Sequence, residues 1–142
     1  MLSAYPACFV KGDHDWSVIF PDLDFTATCG ATLDEAFAKA VECLAGYLHA
    51  CKIEGKSVPS ASEPSSVSVR ETLRELGIGE IPEGSFVNVV TVDAEEYARN
   101  HFARSVKKTL SIPKWLNDLA VEHGINFSQT LQRALKSELG VL

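Results

Sequence analysis

No stretch of this chain reaches the roughly 18 consecutive apolar residues that a membrane-spanning helix needs, and its first residues carry neither the basic flank nor the apolar run of a secretory leader. A cytoplasmic protein with no membrane partner is expected. Cysteines are few and unpatterned. Cys8, Cys29, Cys43 and Cys51 include no Cys-x-x-Cys pair, and three of the four fall in strand or helix patterns, so buried reduced thiols are expected rather than a disulfide framework or a metal site. His14, His49, His101 and His123 share no spacing with one another or with cysteines that would make a zinc site. Ser17 lacks the flanking glycines of a nucleophile elbow, and Asp13, His14 and Asp15, adjacent in a turn, do not converge as a catalytic set. The expectation is a chain with no catalytic residue, no metal and no cofactor. Internal repeats and long low-complexity tracts are missing too, which excludes solenoids and extended disordered arrays.

What is present suits one ordinary domain and a small one: 142 residues, 46% hydrophobic and 23% charged. Ala4 to Val10 and Trp16 to Phe20 read as strands joined by the polar turn Gly12-Asp13-His14-Asp15, which predicts a hairpin. A third short strand, Phe25 to Cys29, follows Pro21-Asp22-Leu23-Asp24 and ends at Gly30. Thr32 then caps a helix, with Glu35 completing a capping box, and Leu33, Phe37, Ala40, Leu44, Tyr47, Leu48 and Cys51 line its apolar face. Pro59 to Ser68 reads as a surface connection and Val69 to Leu76 as a short helix. The near-continuous apolar run from Phe86 to Val92 predicts a further, more buried strand, and Ala94 to Arg104 a polar helical connector.

The tail, residues 105–142, has a different grammar. Val106, Lys108, Leu110 and Ile112 alternate with Lys107, Thr109 and Ser111, as in a strand with one apolar face. Pro113 stops the strand and opens a helix at its first position, carried by Leu116, Leu119 and Ala120 to about His123. Gly124 supplies a left-handed C-terminal cap, and Asn126 caps a second amphipathic helix with Phe127, Leu131, Ala134, Leu135 and Leu139 on one face. A lone strand with two helices is too small to bury a core by itself. Two copies solve this: the strands pair as an antiparallel ribbon over four helices, with Leu110, Ile112, Leu116, Leu119, Leu131 and Leu135 as the dimer core. Lys107, Thr109 and Ser111 then point outward, where a ribbon fits a DNA major groove. The N–H groups of Phe127 and Ser128 behind Asn126 suit a phosphate. The segment from Val106 to Leu139 resembles the ribbon-helix-helix (MetJ/Arc-like) DNA-binding domain. A helical hairpin used only for dimerisation is the plainer alternative. Charge favours nucleic acid: residues 105–142 hold five basic and three acidic side chains, net +2, whereas residues 1–104 hold eight and sixteen, net −8. Thr109 and Ser111 are short, which leaves Lys107 as the strong candidate for a guanine edge.

The front portion is similar to a second family. Tyr5-Pro6-Ala7, the strand ending in Phe20-Pro21-Asp22-Leu23, the Gly30-x-Thr32-Leu33-x-Glu35-Ala36 entry into the long helix, and Val58-Pro59 with Pro64-Ser65 together resemble the HicB antitoxins, over about Tyr5 to Val92. Many members carry Gly-Cys where this chain has Asp24-Phe25. The resemblance implies an α+β protein with these parts: a partial RNase H-like β-β-β-α-β domain over residues 1–93 that binds a HicA-type toxin, an mRNA-cleaving protein; a connector over 94–104; and a ribbon-helix-helix domain over 105–142 that represses its own operon by binding operator DNA. The partners so implied are the toxin, operator DNA and a second copy of the chain, with higher assembly of dimers left open.

A ribonuclease presents a positive surface to RNA, so a front domain of net −8 complements it. Trp16, Phe20, Leu23 and Phe25 are candidate anchors of that contact and Asp22 and Asp24 candidate partners for its cationic side chains, with core packing for Trp16 and Phe20, and a solvated turn for the two aspartates, as the alternatives. Two other functions stay open. One is a ribbon-helix-helix repressor whose front domain senses a ligand. The other is a metal-dependent nuclease of RNase H-like fold using Asp22, Asp24, Glu35 and Glu42, although capping already explains Glu35.

Overall fold

The computed structural model describes residues 1–141, which divide into two compact units, Met1–Arg104 and the tail from Ser105 onward. In the front unit, β1 (Leu2–Lys11), β2 (Trp16–Phe20), β3 (Thr26–Gly30) and β4 (Phe86–Asp93) form one antiparallel sheet in the order β3-β2-β1-β4. The hairpin turn closes with Gly12 N–H donating to the Asp15 carbonyl at 2.8 Å, which sets Lys11 opposite Trp16. Between β3 and β4 come α1 (Leu33–Glu54) and α2 (Val69–Glu75), and α3 (Ala94–His101) follows β4. No described helix is long and apolar enough to cross a membrane.

The capping box explains where α1 starts. Thr32 Oγ1 accepts the Glu35 N–H at 3.2 Å, while the Glu35 carboxylate accepts the N–H of Ala31 at 2.9 Å. Gly55, at φ 66°, closes the other end. Period-two alternation sends Tyr5, Ala7, Phe9, Val18, Phe20, Val90 and Val92 to one face, where they meet Ala36, Ala40, Leu44, Ala45 and Leu48 of α1. Phe9 lies between Phe37 and Phe86, with ring centroids 4.4 and 5.1 Å away. The opposite face is only partly covered: α2 sets Leu73 on Cys8 and Ile19. The helix that reads from the sequence as a connector, α3, packs Ala94 and Tyr97 against the front core.

Two expectations need correction. The run Phe86–Asp93 is an edge strand, hydrogen-bonded on one side only, with Asn88, Val89 and Thr91 exposed. Apolar content marks a strand but does not place it in the sheet, and α2 is too short to cover β4 beyond Val87. Nor are the four free thiols alike. Cys8 and Cys51 are buried and Cys43 half-buried, but Cys29 is exposed on the other edge strand, β3. Burial pushes the Cys8 and Cys43 thiols up.

The tail unit contains α4 (Lys114–Glu122) and α5 (Phe127–Leu139). Pro113 stands one position earlier than expected, as the N-cap, where its carbonyl accepts from Leu116 and Asn117 at 3.1 Å. Gly124, at φ 65°, closes α4, with Ile125 N–H donating to the Ala120 carbonyl at 3.0 Å. Residues 103–113 form neither helix nor strand in the single chain. From Ser105 to Val141 no residue is buried, and only Ala120 and Leu131 are half-buried.

Candidate functional site

Lys107, Thr109 and Ser111 are exposed in the segment that leads into α4, and so are Val106, Lys108, Leu110 and Ile112 between them. A strand needs a hydrogen-bonded neighbour, and within one chain Val106 to Ile112 has none, so the sequence alternation finds no ladder here. The start of α5 is built as a cap: Asn126 Oδ1 accepts the Gln129 N–H at 3.0 Å, and its carbonyl accepts from Thr130 at 3.0 Å. The N–H groups of Phe127 and Ser128 donate to no described residue, which leaves two oriented donors at a helix N-terminus. Leu110, Ile112, Leu116, Leu119 and Leu135 are 41–63% exposed, and Leu131 is half-buried. These side chains, with Trp115, Val121, Ile125 and Phe127, leave the tail with more apolar surface than a unit of its size stably shows to water.

In the front unit, the residues between β2 and β3 divide into two groups. Phe20 and Leu23 are completely buried: for Phe20 this is the core-packing alternative, and Leu23, a candidate anchor, joins it in rooting the loop in the core, with Leu23 N–H donating to the Phe20 carbonyl at 3.1 Å. Trp16 is half-buried, edge-on to Phe86 at 5.8 Å and capped by the Lys11 ammonium 6.0 Å from its ring. Both aspartates are engaged within the chain. The Asp22 carboxylate accepts from Ser62 N–H at 2.8 Å and Ser62 Oγ at 2.6 Å, pinning the long connection after α1. Tyr5 helps from β1 by donating its hydroxyl hydrogen to the Pro59 carbonyl.

Asp24 and Phe25 both adopt left-handed backbone, at φ 53° and 56°. Glycine enters that region without a Cβ penalty, so the backbone here would suit glycine better than either side chain it carries. Asp24 is held by the Tyr47 hydroxyl, which donates to its carboxylate at 2.7 Å. That bond to an anion, with partial desolvation, pushes the Tyr47 phenol up to about 12. Phe25 is exposed. Neither Ser62 nor Tyr47 was legible as a loop partner, since each lies more than 20 residues from the aspartate it binds and nothing in its own neighbourhood signals the pairing.

The carboxylates of the nuclease alternative do not converge. Glu42 pairs with Lys39 at 3.2 Å, Glu35 caps α1, and among the described residues no group of three His, Cys, Asp or Glu side chains is placed to hold a metal ion. The histidines are dispersed as well. His101 and His123 bond through Nδ1 to the carbonyls of Tyr97 and Leu119 at 3.0 and 2.9 Å, and His49 lies against Phe102.

Comparison with known proteins fixes the relationship. No curated protein matches the chain. Among solved structures, a chain of a toxin–antitoxin complex from Streptococcus pneumoniae is 32% identical, with 97% of this chain and 99% of that chain covered and a TM-score of 0.65. The antitoxin HicB3 shares the fold at 23% identity, with 99% and 100% covered and a TM-score of 0.50. Residues 5–134, spanning the sheet from Tyr5 of β1 onward and most of the tail, match the family described as HicB-like antitoxin of bacterial toxin–antitoxin systems. The chain belongs to the HicB-like antitoxin family.

Proposed function

We propose that this antitoxin neutralises a HicA-type mRNA-cleaving toxin with its front unit, a partial RNase H-like scaffold without catalysis of its own, and represses its own operon with a dimeric tail. The observation that carries the tail reading is the absence of any buried residue between Ser105 and Val141, combined with the leucine-rich faces of α4 and α5. Pairing of Val106 to Ile112 with the same segment of a second copy satisfies the backbone groups that have no partner in one chain. It also buries Leu110 and Ile112 over the four helices and turns Lys107, Thr109 and Ser111 toward a major groove. Asn126, Phe127 and Ser128 then anchor the ribbon on backbone phosphates, and the net +2 of the tail allows that approach where the net −8 of the front unit opposes it.

The front-unit reading draws on family membership and on charge: the excess of carboxylates complements the cationic surface that an RNA-cleaving protein presents. Light scattering combined with a promoter-fragment shift assay, with and without the protein encoded by the adjacent reading frame, tests both halves. A dimer that retards the fragment and forms a stable complex with that protein is the expected result. A monomer at working concentration ends the repressor reading, and failure of the adjacent protein to bind, or of co-expression to restore growth, ends the toxin reading.

A further inference from the structure

The expected toxin-facing loop between β2 and β3 offers a partner one apolar side chain, Phe25: Phe20 and Leu23 are in the core, Asp22 binds Ser62 and Asp24 binds Tyr47. Another part of the front unit has what that loop lacks. After α2 the chain runs Leu76-Gly77-Ile78-Gly79-Glu80-Ile81-Pro82-Glu83, and Leu76, Ile78 and Ile81 are exposed at 43%, 49% and 38%. Three large aliphatic side chains within six residues stand in water beside Glu75, Glu80 and Glu83, which form no ion pair among the described residues.

The loop is held in shape. Ile78 N–H donates to the Leu73 carbonyl at 2.8 Å, Gly77 N–H to that of Arg74 at 3.0 Å, and Ser85 N–H to that of Pro82 at 3.2 Å. Ser85 Oγ in turn accepts the N–H of Lys11 in β1 at 3.1 Å, so both ends of the segment are tied to the folded unit. A preshaped apolar surface costs little ordering entropy when a partner covers it.

We infer that the segment Glu75 to Glu83 is a docking surface for a cationic protein, the toxin of the preceding section, and the inference rests on that reading. Leu76, Ile78 and Ile81 provide the desolvated centre, and Glu75, Glu80 and Glu83 the charged rim that meets basic side chains. Charge selects this occupant over a second copy of the chain, because another front unit brings the same net −8 to the contact, whereas an RNA-cleaving protein brings the opposite sign.

Surface-plasmon measurements of the full-length chain against the adjacent-frame protein test it, using Ile78→Ser/Ile81→Ser, Glu80→Lys/Glu83→Lys, and the hairpin reversal Asp13→Lys/Asp15→Lys as a control of equal charge. The isoleucine pair is expected to raise the dissociation rate about tenfold or more. The glutamate pair is expected to slow association and flatten its salt dependence beyond the effect of the hairpin control. Operator retardation and the thermal transition, measured on the same preparations, report whether each variant is folded. A dissociation rate within twofold of wild type for folded Ile78→Ser/Ile81→Ser overturns the surface while leaving the antitoxin reading intact. Absence of any complex with the wild-type chain overturns the antitoxin reading itself, and the surface with it.

Discussion

The Tyr47 hydroxyl, on α1, donates to the Asp24 carboxylate at 2.7 Å and so fastens the middle of the long helix to a loop residue at φ 53°. The bond has a pH signature. Because the folded-state phenol is raised from 10 to about 12, its contribution to stability is fully present below pH 10 and is lost as pH climbs through about 12. Spectrophotometric titration of the folded chain is expected to include a tyrosine ionisation near 12 that is lost in Tyr47→Phe. Over pH 10–12 the urea midpoint of wild type should fall toward that of Tyr47→Phe.

Phe25, the next residue, is also left-handed, at φ 56°, and this conformation costs a bulky L-residue roughly 1–2 kcal/mol. Phe25→Gly is expected to raise the unfolding free energy by about 1 kcal/mol, the relief being offset in part by the freedom glycine gains in the unfolded chain. Denaturant melts measure it. An unchanged or lower stability would mean that the exposed ring makes contacts worth more than the strain.

Asp22 acts as a clamp. In Asp22→Ala the Ser62 N–H and hydroxyl, both part-buried, lose their acceptor, and stability should fall by about 1–3 kcal/mol. Amide exchange at Ser62 should accelerate by a similar free-energy margin, with the β1–β2 pairing unaffected.

How far the sequence discloses such relationships depends on their range. The α1 capping box was legible from Thr32 and Glu35, because its partners lie within one helical turn, and only the detail that Glu35 reaches back to Ala31 is new. All four strands of the front unit were visible from local patterning, with ends shifted by a residue or two. The position of β4 at the sheet edge was not, since strand order is set by what covers each face. The depth of Leu23 was hidden for the same reason: proximity to a polar turn suggests surface, whereas the turn dives and places Leu23 beside Phe20 in the core. In the tail, both helices and the caps at Gly124 and Asn126 were legible and Pro113 was off by one position, while the ribbon stays an intermolecular proposal, because a single strand has no ladder partner within its own chain.

That proposal makes the tail separable from the front unit. Leu119→Asp sets a charge into the proposed four-helix core and is expected to abolish dimerisation and operator retardation, while the front unit keeps its thermal transition. Lys107→Ala should leave the dimer intact. If Lys107 touches phosphate, the two substituted side chains of the dimer lower the log–log salt slope of operator binding by about 1.8; if it reads a guanine edge, discrimination at one base pair of each half-site drops by about 1–3 kcal/mol instead. Sedimentation velocity and shift assays over a salt series distinguish the two.

Two glycines of the front unit should respond oppositely to the same added methyl group. At Gly30, where β3 ends, a Cβ would lie 2.5 Å from the backbone nitrogen of Ala36 and 2.8 Å from the carbonyl carbon of Glu35, because the first turn of α1 sits directly on the strand end. Backbone cannot yield as a flexible side chain does, so Gly30→Ala must push α1 off the sheet or break its cap, and a loss of about 1–3 kcal/mol is expected. Gly46, in the middle of α1, has no atom within 4 Å of the equivalent Cβ. There alanine only reduces unfolded-chain freedom and improves helix propensity, so Gly46→Ala should gain about 1 kcal/mol. Urea melts of both variants against wild type decide the matter: a neutral Gly30→Ala would mean that α1 does not rest on the end of β3, and with it the seating of the helix over the sheet would have to be redrawn.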